Sequence, residues 1–222
     1  MSQGRSWGMT RREFTKLGAA AGLTALLADP VKAAADRPLR VGLLGCGGRG
    51  SGAATQILIA NDNVKLVAVA DLFEDKLESF CDKIMANKDP RLEGKIEFSR
   101  DRTFIGLDSY KGIVESDIDI LVEGTLPYSR PKHVEAAVEA GKHIFTEKPA
   151  AVDPTGIRQF IAASEKAKEK DLCIVAGTQR RHSLDYQETI KKIHDGAIGD
   201  ISSMRVYWNG SLPFAHDRKP EW

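Results

Sequence analysis

Short apolar runs alternate with longer stretches whose apolar residues recur every three or four positions, and the alternation persists from residue 39 to residue 176. The runs at 39–44, 64–70, 118–123, 143–146 and 172–176 read as strands, their uninterrupted apolar character suiting strands covered on both faces. Residues 96–98 add a third strand at an edge. Helical spacing appears at 53–60, at 106–116, at 131–140 with Gly141 as its cap, and at 72–87 through Phe73, Leu77, Phe80 and Ile84. A longer helix over 153–170 turns Ile157, Phe160, Ile161 and Ala167 inward. Strands alternating with helices predict an α/β fold, a Rossmann-type doubly wound parallel sheet over residues 36–177. Beyond Gly177 the pattern changes to a polar segment, a helix at 184–194, a turn at 196–199 and a strand at 201–208. That reads as the beginning of a second α+β domain, 178–222, and as an incomplete one, because a single strand cannot bury its apolar face.

In such sheets ligands gather outside the carboxyl ends of the strands, which directs attention to the residues that follow each strand. After the first come Gly45, Cys46, Gly47, Gly48, Arg49 and Gly50, a G-x-G-x-x-G set between strand and helix. Gly45 suits a tight turn, Gly47 leaves room for a pyrophosphate against bare backbone, and Gly50 allows close helix–strand packing. The phosphates would meet unpaired N–H groups at a helix N-terminus. After the second strand comes Asp71, placed to accept the ribose hydroxyls; an acid there favours NAD, while nearby Arg49 keeps NADP in view. Gly124, Thr125 and Pro127 follow the fourth strand, and Glu147, Lys148 and Pro149 follow the fifth.

Composition narrows the partners. Thirty-two basic against 31 acidic residues give a net charge of +1, with no nucleic-acid or polybasic membrane signal. Three cysteines without C-x-x-C spacing suggest neither a zinc site nor a disulfide framework, and no metal is expected. At the N-terminus, Arg11 and Arg12 with Phe14 and Lys16 precede a mild apolar run and Ala33, Ala34 and Ala35. This pattern resembles a twin-arginine export signal over residues 1–35, and implies a periplasmic or otherwise exported protein without stable membrane insertion after cleavage. Cleavage would remove five basic and two acidic side chains and turn the net charge from +1 to −2.

The loops together resemble the glucose-fructose oxidoreductase / inositol dehydrogenase family (Gfo/Idh/MocA). The resemblance rests on the glycine set at 45–50, Asp71, Thr125-Leu-Pro127 with His133, the run from Ala140 to Pro149 ending in E-K-P, and Gly177-Thr-Gln-Arg-Arg-His182. It implies an NAD(P)-dependent oxidoreductase that transfers hydride between a nicotinamide and a hydroxyl of a sugar, polyol or glycoside, with a small carbohydrate as substrate and a homo-oligomer in the full-length form. Lys148 is then the catalytic residue beside the nicotinamide and the substrate hydroxyl, Glu147 orients it or contacts cofactor, and Arg181 and His182 are candidate substrate contacts. Two alternatives use the same parts: an NAD-dependent glycoside hydrolase working by transient oxidation, and a truncated dinucleotide-binding remnant. The remnant reading arises because the family's D-x-x-x-H pair does not occur in residues 178–222.

Overall fold

The computed structural model describes residues 37–210; the stretch 1–35 that resembles an export signal, residue 36 and residues 211–222 lie outside the described residues. Of the described residues, those from 37 to 177 form one compact unit and those from 178 to 210 a second.

In the first unit, β1 (Leu39–Leu44), β2 (Val64–Asp71), β3 (Thr103–Ile105), β4 (Ile120–Glu123), β5 (His143–Thr146) and β6 (Ile174–Ala176) form one sheet in the order β3-β2-β1-β4-β5-β6. Every pairing is parallel. Order reverses between β1 and β4, which opens a crevice at their carboxyl ends. The helices are α1 (Gly48–Ala60), α2 (Glu74–Met85), α3 (Ser109–Glu115), α4 (Arg130–Glu139) and α5 (Pro154–Glu169).

Two cores explain the apolar runs. Val41, Leu43, Val69 and Val122 pack with Ala54 and Leu58 of α1 and with Leu77, Phe80 and Ile84 of α2. On the opposite face Leu44, Ala68 and Leu121 pack with Ile113 of α3, Val134 and Val138 of α4, and Ala163 and Ala167 of α5. A central strand therefore has no solvent face, and β2 is buried at every position but one. Punctuation works as its chemistry suggests: Asp153 accepts the Gly156 N–H at 2.7 Å to open α5, and Gly141 takes φ +72° after α4.

Four details differ from the sequence expectation. The third strand is Thr103–Ile105, while Ile96 makes a single bridge to Leu66. The 96–98 run lies along β2 but turns away after its first residue, and Phe104 instead anchors the edge by packing on Gly112. Helix α1 begins at Gly48, five residues early, so the last glycines of the motif are helical. In α5, Ile157 and Ile161 are exposed, and Phe160, Ala163 and Ala167 make the core contacts instead. In the second unit a 3₁₀ turn (Gln179–His182) leads into α6 (Leu184–His194), but 201–208 forms no strand; no partner strand lies beside it among the described residues.

Three glycines let backbone approach backbone closely. Gly45 adopts φ +97°, where a side chain would be strained. A methyl group on Gly50 would overlap the Gly45 carbonyl oxygen, and one on Gly124 would lie 2.5 Å from the Gly50 Cα. Gly52 has open space around it. Gly50→Ala is thus expected to destabilise the chain by more than ~3 kcal/mol, beyond ordinary overpacking, whereas Gly52→Ala should stabilise α1 by about 0.4–1 kcal/mol. Urea denaturation of the two variants checks the opposite signs.

Candidate functional site

The glycine loop presents an open lip. Gly47 caps α1 in extended conformation without any side-chain cap, and Gly47, Gly48 and Arg49 are exposed. A methyl on Gly47 or Gly48 would meet nothing within 4 Å. The first amides of a helix have no intrahelical partner and carry the positive end of its dipole, and no acid occupies the first turn of α1. Bare backbone, unpaired amides and absent negative charge fit the pyrophosphate of a dinucleotide.

Asp71 ends β2 next to this loop and is nearly buried. Its Oδ2 accepts the Cys46 N–H at 2.6 Å and its Oδ1 the Phe73 N–H at 2.9 Å. The acid expected at the ribose therefore also ties the glycine loop to the end of β2. Each carboxylate oxygen has a second acceptor direction for a hydroxyl. Cys46 is buried; that burial first, then the charge of Asp71, pushes its thiol pKa well up, so it stays a protonated packing residue.

Arg49 does not turn toward Asp71. Its guanidinium bonds Glu147 Oε1 at 2.8 Å, joining the glycine loop to the E-K-P segment after β5. Glu147 is 4% exposed, and its carboxylate lies against Gly177, where a methyl group would stand 2.9 Å from Oε1. Lys148 is exposed, and its bond to Pro149 is cis. The residues following β1, β2, β4 and β5 thus meet along one end of the sheet. Arg181 and His182 lie exposed on the 3₁₀ turn of the second unit. There Arg180 stacks at 4.5 Å over Trp208.

Beneath the loops lies a buried network that sequence reasoning did not find. Glu123, at 0% exposure, ends β4, and Arg130, at 2%, opens α4; Arg130 Nε donates to Glu123 Oε2 at 2.6 Å. The same guanidinium donates from its two terminal nitrogens to the carbonyls of Pro149 and Thr125. Thr146 Oγ1 donates to Glu123 Oε2 at 3.2 Å, and Thr125 bonds Glu123 Oε1 through hydroxyl and amide. Thr125 thus shapes the loop from within, while Pro127 is half-buried in the turn ahead of α4. His133 Nδ1 lies 3.2 Å from Thr125 Oγ1 and 3.5 Å from Glu123 Oε1, and its ring stacks on Tyr110. The available signal was an acid ending an apolar strand, a place where an unpaired carboxylate would be costly. Among the described residues no group of His, Cys, Asp and Glu could hold a metal.

Burial alone would raise the Glu123 pKa, but His133, Arg130 and Thr125 outweigh it and hold the carboxyl below its ordinary value of 4.5. A depressed carboxyl stabilises the fold above its unfolded-state pKa and loses that contribution as pH falls through the folded value. Glu123→Gln would leave Arg130 charged, buried and unpaired, costing about 3–5 kcal/mol at neutral pH. Urea titrations from pH 7 down to pH 3 should show the gap between wild type and Glu123→Gln narrowing with acidity. A gap constant with pH would contradict the assignment.

Comparison with known proteins follows the same outline. The family described as "Oxidoreductase family, NAD-binding Rossmann fold" matches residues 39–176. Inositol 2-dehydrogenase 4 of Saccharopolyspora erythraea is 30% identical over 179 residues, covering 80% of this chain and 48% of that protein. A glycosyl hydrolase family 109 protein of Streptomyces coelicolor is 27% identical over 185 residues, covering 83% and 35% respectively. Among solved structures, scyllo-inositol dehydrogenase from Lactobacillus casei with bound cofactor NAD(H) and scyllo-inositol superposes with a TM-score of 0.58 at 23% identity, covering 75% of this chain and 44% of that one. The chain thus spans about half or less of the length of these relatives. With the family match running from β1 through β6, the chain belongs to the Gfo/Idh/MocA oxidoreductase family and carries its NAD-binding Rossmann fold.

Proposed function

We propose that this chain provides the dinucleotide half of an NAD-dependent oxidoreductase acting on a hydroxyl of a sugar or polyol, with inositols as the leading class. One observation carries the reading: the Arg49–Glu147 ion pair at 2.8 Å joins the glycine loop to the segment that presents Lys148. An anion cradle and an exposed amine are thereby held at the same end of the sheet. The inositol class comes from relatives bearing that name.

NAD, when bound, supplies the hydride acceptor. The chain's own residues bind it and stabilise charge. The amides at the start of α1 hold phosphate oxygens, and Asp71 takes the ribose hydroxyls, its negative charge opposing a 2′-phosphate. Lys148 Nζ bonds the substrate hydroxyl oxygen and stabilises the negative charge that develops there as its proton passes to water. Glu147, fixed by Arg49, sets the position of the backbone that carries Lys148.

A second reading draws on the Streptomyces coelicolor relative: the same parts would serve glycoside cleavage through transient oxidation. Release of the aglycone without net accumulation of NADH distinguishes it. The Arg11–Arg12 motif, its mild apolar run and the alanines before residue 36 support export through the twin-arginine route to the periplasm, a route that passes folded, cofactor-loaded proteins. The full-length form is proposed to be a homo-oligomer.

Fluorescence titration with NADH is expected to saturate, and Asp71→Asn should narrow the preference for NAD over NADP. Lys148→Met should lower polyol oxidation by about 10²–10⁴-fold while dinucleotide affinity holds. Failure of the wild-type chain to bind either dinucleotide would overturn the reading.

A further inference from the structure

The Arg130 guanidinium has five N–H groups in a planar fork, and the structure directs this fork at three groups in two loops. Nε meets Glu123 at the end of β4, one terminal nitrogen meets the Thr125 carbonyl in the following turn, and the other meets the Pro149 carbonyl directly after Lys148. An arginine 2% exposed is an unusual residue to bury, and a hydrophobic side chain would fill the same volume without the desolvation cost. The carbonyls it holds are backbone groups that other donors, including water, could satisfy. Only a rigid fork fixes the loop after β4 relative to the loop after β5.

We infer that Arg130 is a positioning residue for Lys148. Clamped by Glu123, it sets the direction from which the E-K-P segment delivers the lysine to the mouth of the crevice. His133 and Tyr110 close the clamp from the side, with ring centroids 5.0 Å apart. Glu147, on the other flank of Lys148, donates its backbone N–H to the Glu123 carbonyl at 2.9 Å while its side chain binds Arg49. Lys148 is therefore held from both neighbours, by Pro149 through Arg130 and by Glu147 through β4 and α1. The inference rests on the proposed role of Lys148, and its test separates the two.

The conservative variant Arg130→Lys keeps a charge beside Glu123 and gives up the fork, so it serves where a neutral replacement does not fold. The full chain, wild type and variant, would be trace-acetylated with and without NADH, and each lysine followed by peptide mass spectrometry. Arg130→Lys is expected to change the Lys148 acetylation rate, and its protection by NADH, by about threefold or more, with exposed Lys76 and Lys168 unchanged and NADH affinity within about twofold. In turnover, kcat should fall about tenfold at constant dinucleotide KM, and Arg130→Lys should cost nothing further on a Lys148→Met background. Unchanged Lys148 labelling in Arg130→Lys, or losses that multiply in the double variant, would overturn the inference. A wild-type chain that binds no dinucleotide removes the proposed function instead, and the labelling comparison without NADH still decides the role of Arg130.

Discussion

Backbone meets backbone where the strand order reverses, and the rest of the structure is built around that contact. Gly45, Gly50 and Gly124 bring the end of β1, the first turn of α1 and the end of β4 together with no side chain between them. Any Cβ at Gly50 or Gly124 would push α1 off the sheet. Seated this way, α1 points its first amides out over the crevice and sends Arg49, from the same turn, across to Glu147. A packing constraint without chemistry of its own thus decides where the chemistry stands.

Charge then links loops that the sheet only brings near. The two ion pairs differ in kind. Arg49 is largely exposed and its pairing with Glu147 is screened by water, so it contributes alignment more than stability. Glu123 and Arg130 are both buried, and the cost of drying them roughly cancels their attraction. Their value lies in geometry: one carboxylate at the end of a central strand fixes one guanidinium, which fixes the loops after β4 and β5. The cis Lys148–Pro149 bond lies within reach of the same clamp.

Much of this was legible in the chain. Five of six strands follow from continuous apolar runs, because a doubly covered sheet leaves no polar face to disguise them. The turn, open and close-packed glycines of the first loop could be told apart by their spacing. What the sequence did not reveal depends on neighbours distant in the chain. Gly124 is critical only because β4 lies beside β1, and Arg130 reads as a surface residue until α4 places it over Glu123. The edge strand was misplaced because Ile96 and Phe98 alternate more clearly than Thr103-Phe-Ile105, although only the latter continues along β2. The segment 201–208 has the alternation of a strand but lacks a partner among the described residues, and alternation alone does not make a sheet.

The central claim is that one end of this sheet holds a dinucleotide with its reactive ring beside Lys148. A crystal structure of the full chain grown with NADH tests it most directly. Pyrophosphate oxygens are expected on the amides of the Gly47–Gly48 lip, with the nicotinamide ring facing the Lys148 side chain. A dinucleotide bound elsewhere, or a nicotinamide ring turned away from the E-K-P segment, would contradict it.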